Sequence, residues 1–200
     1  NAALALICGD SILWKPSEKT PLSAYAAHGL LNRVIADFDQ APRNLSQLLI
    51  GGRDVGEVLV ADPRVPLISA TGSTAMGRSV GVRVAERFGR SLLELGGNAA
   101  TIVGPSADVD LAVRAITFGA AGTTGQRCTT MRRLIVHDSI YDQLIDRLKR
   151  AFASLPIGDP RDPAMLIGPL IDDRALQSME RAIDHARADG GVVTGGEKRG

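Results

Sequence analysis

Cys128 is the candidate nucleophile of this sequence. It lies in the small-residue segment Gly122–Thr130, next to Arg127. A neighbouring cation can lower the pKa of a thiol, which increases the fraction present as the reactive thiolate. Most isolated cysteines are inert core residues, so Cys128 alone leaves catalysis and packing both open. We expect that inert role for Cys8, which ends the apolar run Ala2–Cys8.

Glu94 is the candidate general base. It lies in the apolar run Leu92–Leu95, directly before Gly96 and Gly97. Partial burial at this position would raise the pKa of its carboxyl toward the range in which a base works near neutral pH. A glutamate on an edge strand that faces solvent explains the same residue equally well.

Two further segments could bind a nucleotide. In Thr71–Gly77, glycine allows close approach of the backbone, and the start of the following helix favours a phosphate. A purely structural turn is the commoner cause of such a pattern. In Trp14–Glu18, Lys15 and Glu18 could hydrogen-bond ribose hydroxyls at the carboxyl end of a strand, where open α/β folds bind ligands. A solvated charged loop is the alternative interpretation.

Composition argues against other classes of function. The 23 Lys and Arg residues nearly balance the 22 Asp and Glu residues, so we expect neither nucleic acid nor anionic lipid as a partner. No apolar run reaches the roughly 20 residues of a membrane helix. The two cysteines are far apart, which favours a reducing, cytoplasmic location. The histidines lack ligand spacing and the acidic pairs lie at helix starts, so no metal site is predicted.

The elements that position these residues alternate between strands and helices. This alternation predicts an α/β fold with a partial doubly wound parallel sheet, followed by part of a second α/β domain. We place the domain boundary at Glu94, which gives domains 1–94 and 95–200. Two apolar stripes with four-residue spacing are predicted to be buried on helices: Leu22, Ala26, Leu30 and Val34, and Met76, Val80, Val84 and Phe88. The predicted helix caps are Asp54, Asp108, Ser139 and Asp172.

Taken together and in order, four motifs resemble the aldehyde dehydrogenase superfamily. They are Lys15-Pro16-Ser17-Glu18, Thr71-Gly72-Ser73-Thr74 with Gly77, Glu94-Leu95-Gly96-Gly97 and Gly125-Gln126-Arg127-Cys128. The sequence around Cys128 is most similar to the antiquitin branch, the α-aminoadipate semialdehyde (piperideine-6-carboxylate) dehydrogenases of lysine catabolism. The resemblance implies a Rossmann-like NAD domain and part of a catalytic domain.

The resemblance also implies a cofactor site. The residues expected to hold NAD are Lys15, Ser17, Glu18, Gly52, Gly72, Ser73, Leu95 and Gly96. Lys15 and Glu18 match the family's ribose-binding pair, Gly72 and Ser73 the pyrophosphate turn, and Leu95 with Gly96 the nicotinamide side. Because the Glu18 carboxylate would repel a 2′-phosphate, NAD is favoured over NADP.

The activity implied is oxidation of an aldehyde to a carboxylic acid. Cys128 matches the family's nucleophile, which carries the acyl group as a thioester, and Glu94 matches the base that activates the hydrolytic water. The backbone amide of Cys128 would be one donor to the oxyanion. Arg127 is the candidate for binding the charged end of an amino-acid semialdehyde, with a structural role or thiolate stabilisation as alternatives.

Some features depart from the family. The chain has no initiator Met and is less than half the length of a typical member, so we expect an internal fragment that is inactive when isolated. The oxyanion Asn and the Glu-Ile-Phe-Gly-Pro-like stretch are not found, and Ala70 and Ala99 replace an aromatic residue and an Asn. Two alternatives remain: a non-catalytic dinucleotide-binding fragment, or a thiol hydrolase or acyltransferase without redox chemistry. The parent protein is expected to form a dimer or tetramer.

Overall fold

A computed structural model describes residues 1–198 of the chain. In these residues the helices are α1 (Ala2–Ile7), α2 (Pro21–Ala36), α3 (Arg53–Ala61), α4 (Thr74–Glu86), α5 (Val109–Ala121), α6 (Asp138–Ala153) and α7 (Asp173–Ala188). The strands are β1 (Ile12–Trp14), β2 (Ser46–Leu48), β3 (Leu67–Thr71), β4 (Arg90–Glu94), β5 (Ala99–Val103) and β6 (Met131–Val136). A short turn, Gly122–Gly125, lies between α5 and β6.

The strands pair in parallel, which confirms the predicted class of fold. β1 pairs with β2, β3 with β4, and β5 with β6. The chain divides into two compact units, Asn1–Leu95 and Gly96–Gly200. In parallel pairs the carboxyl ends of both strands lie at the same edge, so the loops that follow each strand of a pair are neighbours.

The core of the first unit lies between α3, α4 and the pair β3–β4. Val60, Val80 and Val84 are buried there, with Met76 packed against them. The predicted stripe on α4 is therefore confirmed at Val80 and Val84. It is wrong at Phe88, which is 98% exposed. The helix ends at Glu86 and Phe88 adopts a left-handed φ of 57°, which turns its side chain away from the stripe.

The core of the second unit lies between α5, α6 and the pair β5–β6. Val103, Ile116, Leu144 and Leu148 are buried in it. Asp108 caps α5 by accepting a hydrogen bond from the Leu111 N–H at 3.0 Å. This bond satisfies one of the free donors of the first helical turn.

The predicted buried stripe of α2 is wrong. Leu22 is 82% exposed, and Leu30 and Val34 are each 56% exposed. The covered side of α2 follows a second helical stripe of buried and half-buried residues, which are Ala24, His28, Leu31 and Ile35. Helical spacing alone cannot choose between two apolar stripes, because the neighbouring elements decide which one is covered.

Two predicted helix caps are also wrong. Gly52, not Asp54, is the N-cap of α3. His137, not Ser139, is the N-cap of α6, where its ring accepts from the Ser139 N–H. Both N-caps lie two residues earlier than predicted, because Gly52 and His137 already have the extended backbone of a cap.

Candidate active site

The first part of the candidate site lies at the carboxyl end of β1. Lys15 Nζ is 3.3 Å from Glu18 Oε2. The Lys15 side chain is 16% exposed and its stem runs beside Gly56 of α3, whereas the Glu18 side chain is 57% exposed. The pKa of the Glu18 carboxyl lies below its usual value, because its own backbone N–H and then Lys15 donate hydrogen bonds to it. Glu18 is therefore an exposed, charged acceptor for hydroxyl groups.

The turn after β3 carries the second part. Ser73 is the N-cap of α4, and its Oγ accepts from the Met76 N–H at 3.1 Å. The Gly72 N–H donates to the Glu94 carbonyl at 3.0 Å, which joins this turn to the end of β4. The exposed start of α4 offers the donor groups that favour a phosphate. Gly52, the N-cap of α3, begins a comparable helix without a side chain at the cap.

Glu94 and Leu95 lie next to this turn but differ in their surroundings. Glu94 is the last residue of β4 and is exposed, so of the two interpretations left open by the sequence, the structure agrees with a glutamate that faces solvent. A polar side chain at a strand end faces solvent when no neighbouring element covers it. Leu95 packs on α4 at Gly77, where an added Cβ would lie 2.5 Å from both Leu95 methyl carbons. Gly77 therefore leaves the space that the Leu95 side chain occupies against α4, immediately after Glu94.

Cys128 lies in a closed turn of the second unit. The Thr130 N–H donates to the Arg127 carbonyl at 3.2 Å, and the Arg127 N–H donates to Thr130 Oγ1 at 3.1 Å. Thr130 is only 3% exposed, whereas Cys128 is an exposed, free cysteine. A buried threonine thus anchors a turn that presents the thiol to solvent.

Gly97 supports the same turn from the other side. An added Cβ on Gly97 would lie 2.6 Å from the carbonyl oxygen of Cys128, which is backbone and cannot swing away. Only glycine therefore allows this approach of the two backbone segments. Our sequence prediction quoted Gly97 in a motif but did not place it among the site residues.

The Arg127 side chain extends back toward α5. Its Nε donates to Thr123 Oγ1 at 2.8 Å, and its guanidinium carbon lies 5.3 Å from the centre of the Phe118 ring. Gly122 also lies beside the guanidinium. These contacts hold the Arg127 side chain in one orientation, with its guanidinium over the Phe118 ring.

The residues before Arg127 form a left-handed turn. Thr123 has φ 54° and ψ 36°, Thr124 has φ 55° and ψ 34°, and Gly125 has φ 68°. Left-handed backbone costs roughly 1–2 kcal/mol for each residue other than glycine. Other contacts must therefore stabilise the turn at its two threonines.

The whole chain is similar to a known protein family. The model of the aldehyde dehydrogenase family matches residues 1–200. The chain belongs to the aldehyde dehydrogenase family. Aldehyde dehydrogenases are also found among similar sequences and solved structures.

The α-aminoadipic semialdehyde dehydrogenase of Bos taurus is 44% identical over 198 residues, which are 99% of this chain and 36% of that protein. A structure described as an Escherichia coli NADP-dependent enzyme has a TM-score of 0.91 and 36% identity, over 100% of this chain and 41% of that one. A Mycobacterium tuberculosis aldehyde dehydrogenase complexed with NAD+ has a TM-score of 0.91 and 33% identity, over 98% and 40%. The aldehyde dehydrogenase fold is thereby confirmed, and the chain spans about two fifths of these proteins.

The predicted site residues fall into two groups in this family member. Lys15, Ser17, Glu18, Gly52, Gly72, Ser73, Glu94 and Leu95 belong to the first unit, whereas Gly96, Arg127 and Cys128 belong to the second. Cys8 was predicted to be an inert core residue, but it is exposed because it follows the end of α1. Residues that the prediction missed are Gly77, Gly97, Thr124, Gln126 and Thr130. All five lie in or beside the motifs quoted above, and the signal that could have identified them is the presence there of glycines and of side chains with a hydroxyl or amide group.

Proposed function

We propose that the chain carries the nucleophile, the base and most of the cofactor contacts of an NAD-dependent aldehyde dehydrogenase. The observation that carries the proposal is the exposed thiol of Cys128 in a turn that Thr130 anchors and Gly97 approaches closely. Such a thiol is accessible to a carbonyl carbon and has a fixed backbone around it. The family match supports the same chemistry.

The residues of the first unit fit a dinucleotide. The charged, exposed Glu18 beside Lys15 suits ribose hydroxyls, and the start of α4 after Gly72 and Ser73 suits a pyrophosphate. Ser17 lies next to Glu18 in sequence and Gly52 is the N-cap of α3, and we propose both as further cofactor contacts, while Leu95 and Gly96 would line the nicotinamide. A bound NAD supplies the acceptor for the hydride. Glu18 disfavours a 2′-phosphate, so we propose NAD although one similar structure is described as NADP dependent.

The chemistry of the chain's own residues follows. The Cys128 thiolate adds to the aldehyde carbon and forms a C–S bond, while the Cys128 backbone N–H donates to the new oxyanion. Once that carbon has lost its hydride, the acyl group remains on Cys128 as a thioester. Glu94 removes a proton from water, the water oxygen attacks the acyl carbon, and the thiolate leaves. The products are the carboxylic acid and free Cys128.

For the substrate we propose an amino-acid-derived semialdehyde. One relative is named α-aminoadipic semialdehyde dehydrogenase, which would connect this chain to lysine catabolism. Arg127 is the proposed partner of the substrate's charged end, because Thr123 and Phe118 hold its guanidinium in place. We further propose a homodimer or homotetramer in the cytoplasm. In residues 1–198 no helix has the length and apolar character needed to cross a membrane.

Replacement of the two cysteines tests this function in the whole protein. Cys128→Ala should lower NADH production at least about 1000-fold, because it removes the sulfur on which we propose that the thioester forms. Cys8→Ala is the matched control, since Cys8 is also exposed and free. It should keep the activity within about twofold. NADH production by Cys128→Ala at the rate of the control would reject the proposed function.

A further inference from the structure

Two side chains before Cys128 tie its loop to a distant part of the second unit. Thr124 Oγ1 donates to the Gly168 carbonyl at 2.9 Å. The Gln126 amide bonds twice to the same segment: Nε2 donates to the Pro169 carbonyl at 3.5 Å, and Oε1 accepts from the Ile171 N–H at 3.0 Å. Gln126 thus pairs with main chain through both a donor and an acceptor, as one strand pairs with another.

These bonds act on the left-handed turn of Thr123, Thr124 and Gly125. Threonine is branched at Cβ and disfavours this conformation, so the turn persists only where its surroundings hold it. The Gln126 Nε2 also lies 3.3 Å from the Thr123 carbonyl, which connects the turn to the segment Gly168–Ile171 through one amide. Cys128 follows three residues after the turn, so its direction depends on the conformation held there.

We propose that Thr124 and Gln126 are positioning residues, which hold the left-handed turn against Gly168–Ile171 and so fix the direction of the Cys128 thiol. Neither side chain gives an atom to the reaction. The inference rests on the proposed function only where it treats Cys128 as the nucleophile. The segment Gly168–Ile171 thereby supports the loop that carries Cys128.

The first test needs neither cofactor nor aldehyde. The whole protein is treated briefly with iodoacetamide, and mass spectrometry of tryptic peptides compares labelling at Cys128 with labelling at Cys8 in the same molecules. Gln126→Met keeps the length of the side chain but removes both hydrogen-bonding groups. It should lower the Cys128 to Cys8 labelling ratio about threefold or more, because a released turn no longer holds the thiol outward.

Gln177→Met is the matched control, because Gln177 is an exposed glutamine on α7 in the same unit. It should leave the labelling ratio unchanged. A ratio in Gln126→Met that equals the ratio of the control, or exceeds it, would overturn the positioning role. Because this readout requires no NADH, it remains decisive even if the protein does not oxidise aldehydes.

The second test separates the Thr124 hydroxyl from the shape of the side chain. Thr124→Ser keeps the donor to Gly168, whereas Thr124→Val keeps the shape and removes the donor. Thr124→Val should lower kcat about tenfold with the KM for NAD unchanged, because misplacement of a reacting group affects the chemical step. Thr124→Ser should retain at least about half of kcat.

Equal losses of kcat in Thr124→Ser and Thr124→Val would contradict the proposal, as would a rise in KM for NAD that accounts for the whole loss. Amide hydrogen exchange provides the geometric readout. The Ile171 amide should exchange faster in Gln126→Met than in Gln177→Met, while amides of α6 stay protected. If Gln126→Met fails to fold, the Thr124 pair alone decides the outcome.

Discussion

The two loops that carry the candidate site are built in opposite ways. The turn before α4 has no left-handed residue at positions 71–73, and two ordinary contacts stabilise it: Ser73 caps the helix through Met76, and the Gly72 N–H donates to the Glu94 carbonyl. The loop before Cys128 is left-handed at two threonines and depends on Gly97 and Gly168, which are distant in sequence. The first loop should therefore tolerate changes that the second cannot, because a strained backbone needs all of its supporting contacts.

Among the residues that support the two loops, the largest effect on kcat is expected at Gly97. Gly97→Ala would place a Cβ 2.6 Å from the Cys128 carbonyl oxygen, so the nucleophile's peptide group must move. We expect kcat to fall at least about 100-fold, with little change in the KM for NAD. Steady-state assays of the whole protein measure both constants.

The control for this prediction is Gly104→Ala in the same unit, where an added Cβ meets no atom within 4 Å. Its kcat should stay close to that of the unchanged protein. If both alanine variants have the same kcat, the close approach of Gly97 has no part in catalysis.

A smaller effect is expected at Glu18, in the first unit. Glu18→Gln removes the charge that Lys15 stabilises, so the KM for NAD should rise about tenfold with kcat nearly constant. Discrimination against NADP should decrease at the same time, because the repulsion of a 2′-phosphate is lost. Kinetics with both cofactors measure the change.

Glu86→Gln at the end of α4 is a suitable comparison, because it makes the same substitution at an exposed glutamate outside the site. If Glu18→Gln has the same KM for NAD and the same discrimination against NADP as Glu86→Gln, Glu18 does not contribute to the cofactor site.

The smallest effect is expected at Ser73. Ser73→Ala deletes the cap of α4 and should lower the free energy of unfolding by about 1 kcal/mol. Ser73→Thr retains an oxygen at the cap and should recover most of that loss. Denaturant unfolding measures the difference, and kcat should stay within about twofold. If Ser73→Ala lowers kcat as much as Gly97→Ala does, the two loops do not differ in their tolerance of substitution.

Sequence patterns predicted the parts of the fold that depend on local chemistry. Val80 and Val84 were found because one stripe of α4 is the covered one, and Asp108 because a short acidic side chain before an apolar run is a typical cap. On α2 two stripes compete, so the covered face could not be chosen without its neighbours. The motifs likewise located Cys128 and Glu94 in sequence but left their exposure open.

The support of Cys128 could not be predicted in the same way. Threonine is a poor candidate for left-handed backbone, so nothing local indicates the turn at Thr123 and Thr124. The turn is explained only when the hydrogen bonds to Gly168 and Ile171 are known, and these span more than 40 residues. Long-range contacts of this kind are absent from single-sequence patterns.

Direct detection of the acyl group tests whether Cys128 is the nucleophile. In the whole protein carrying Glu94→Gln, thioester hydrolysis should be slowed, so an acid quench shortly after mixing with NAD and aldehyde should trap the intermediate. Trypsin cuts after Arg127 and Arg132, which isolates Cys128 in a short peptide for mass spectrometry. We expect the acyl mass on this peptide, together with about one NADH for each active site. NADH formation with the Cys128 peptide unmodified, or the acyl group on the Cys8 peptide, would contradict it.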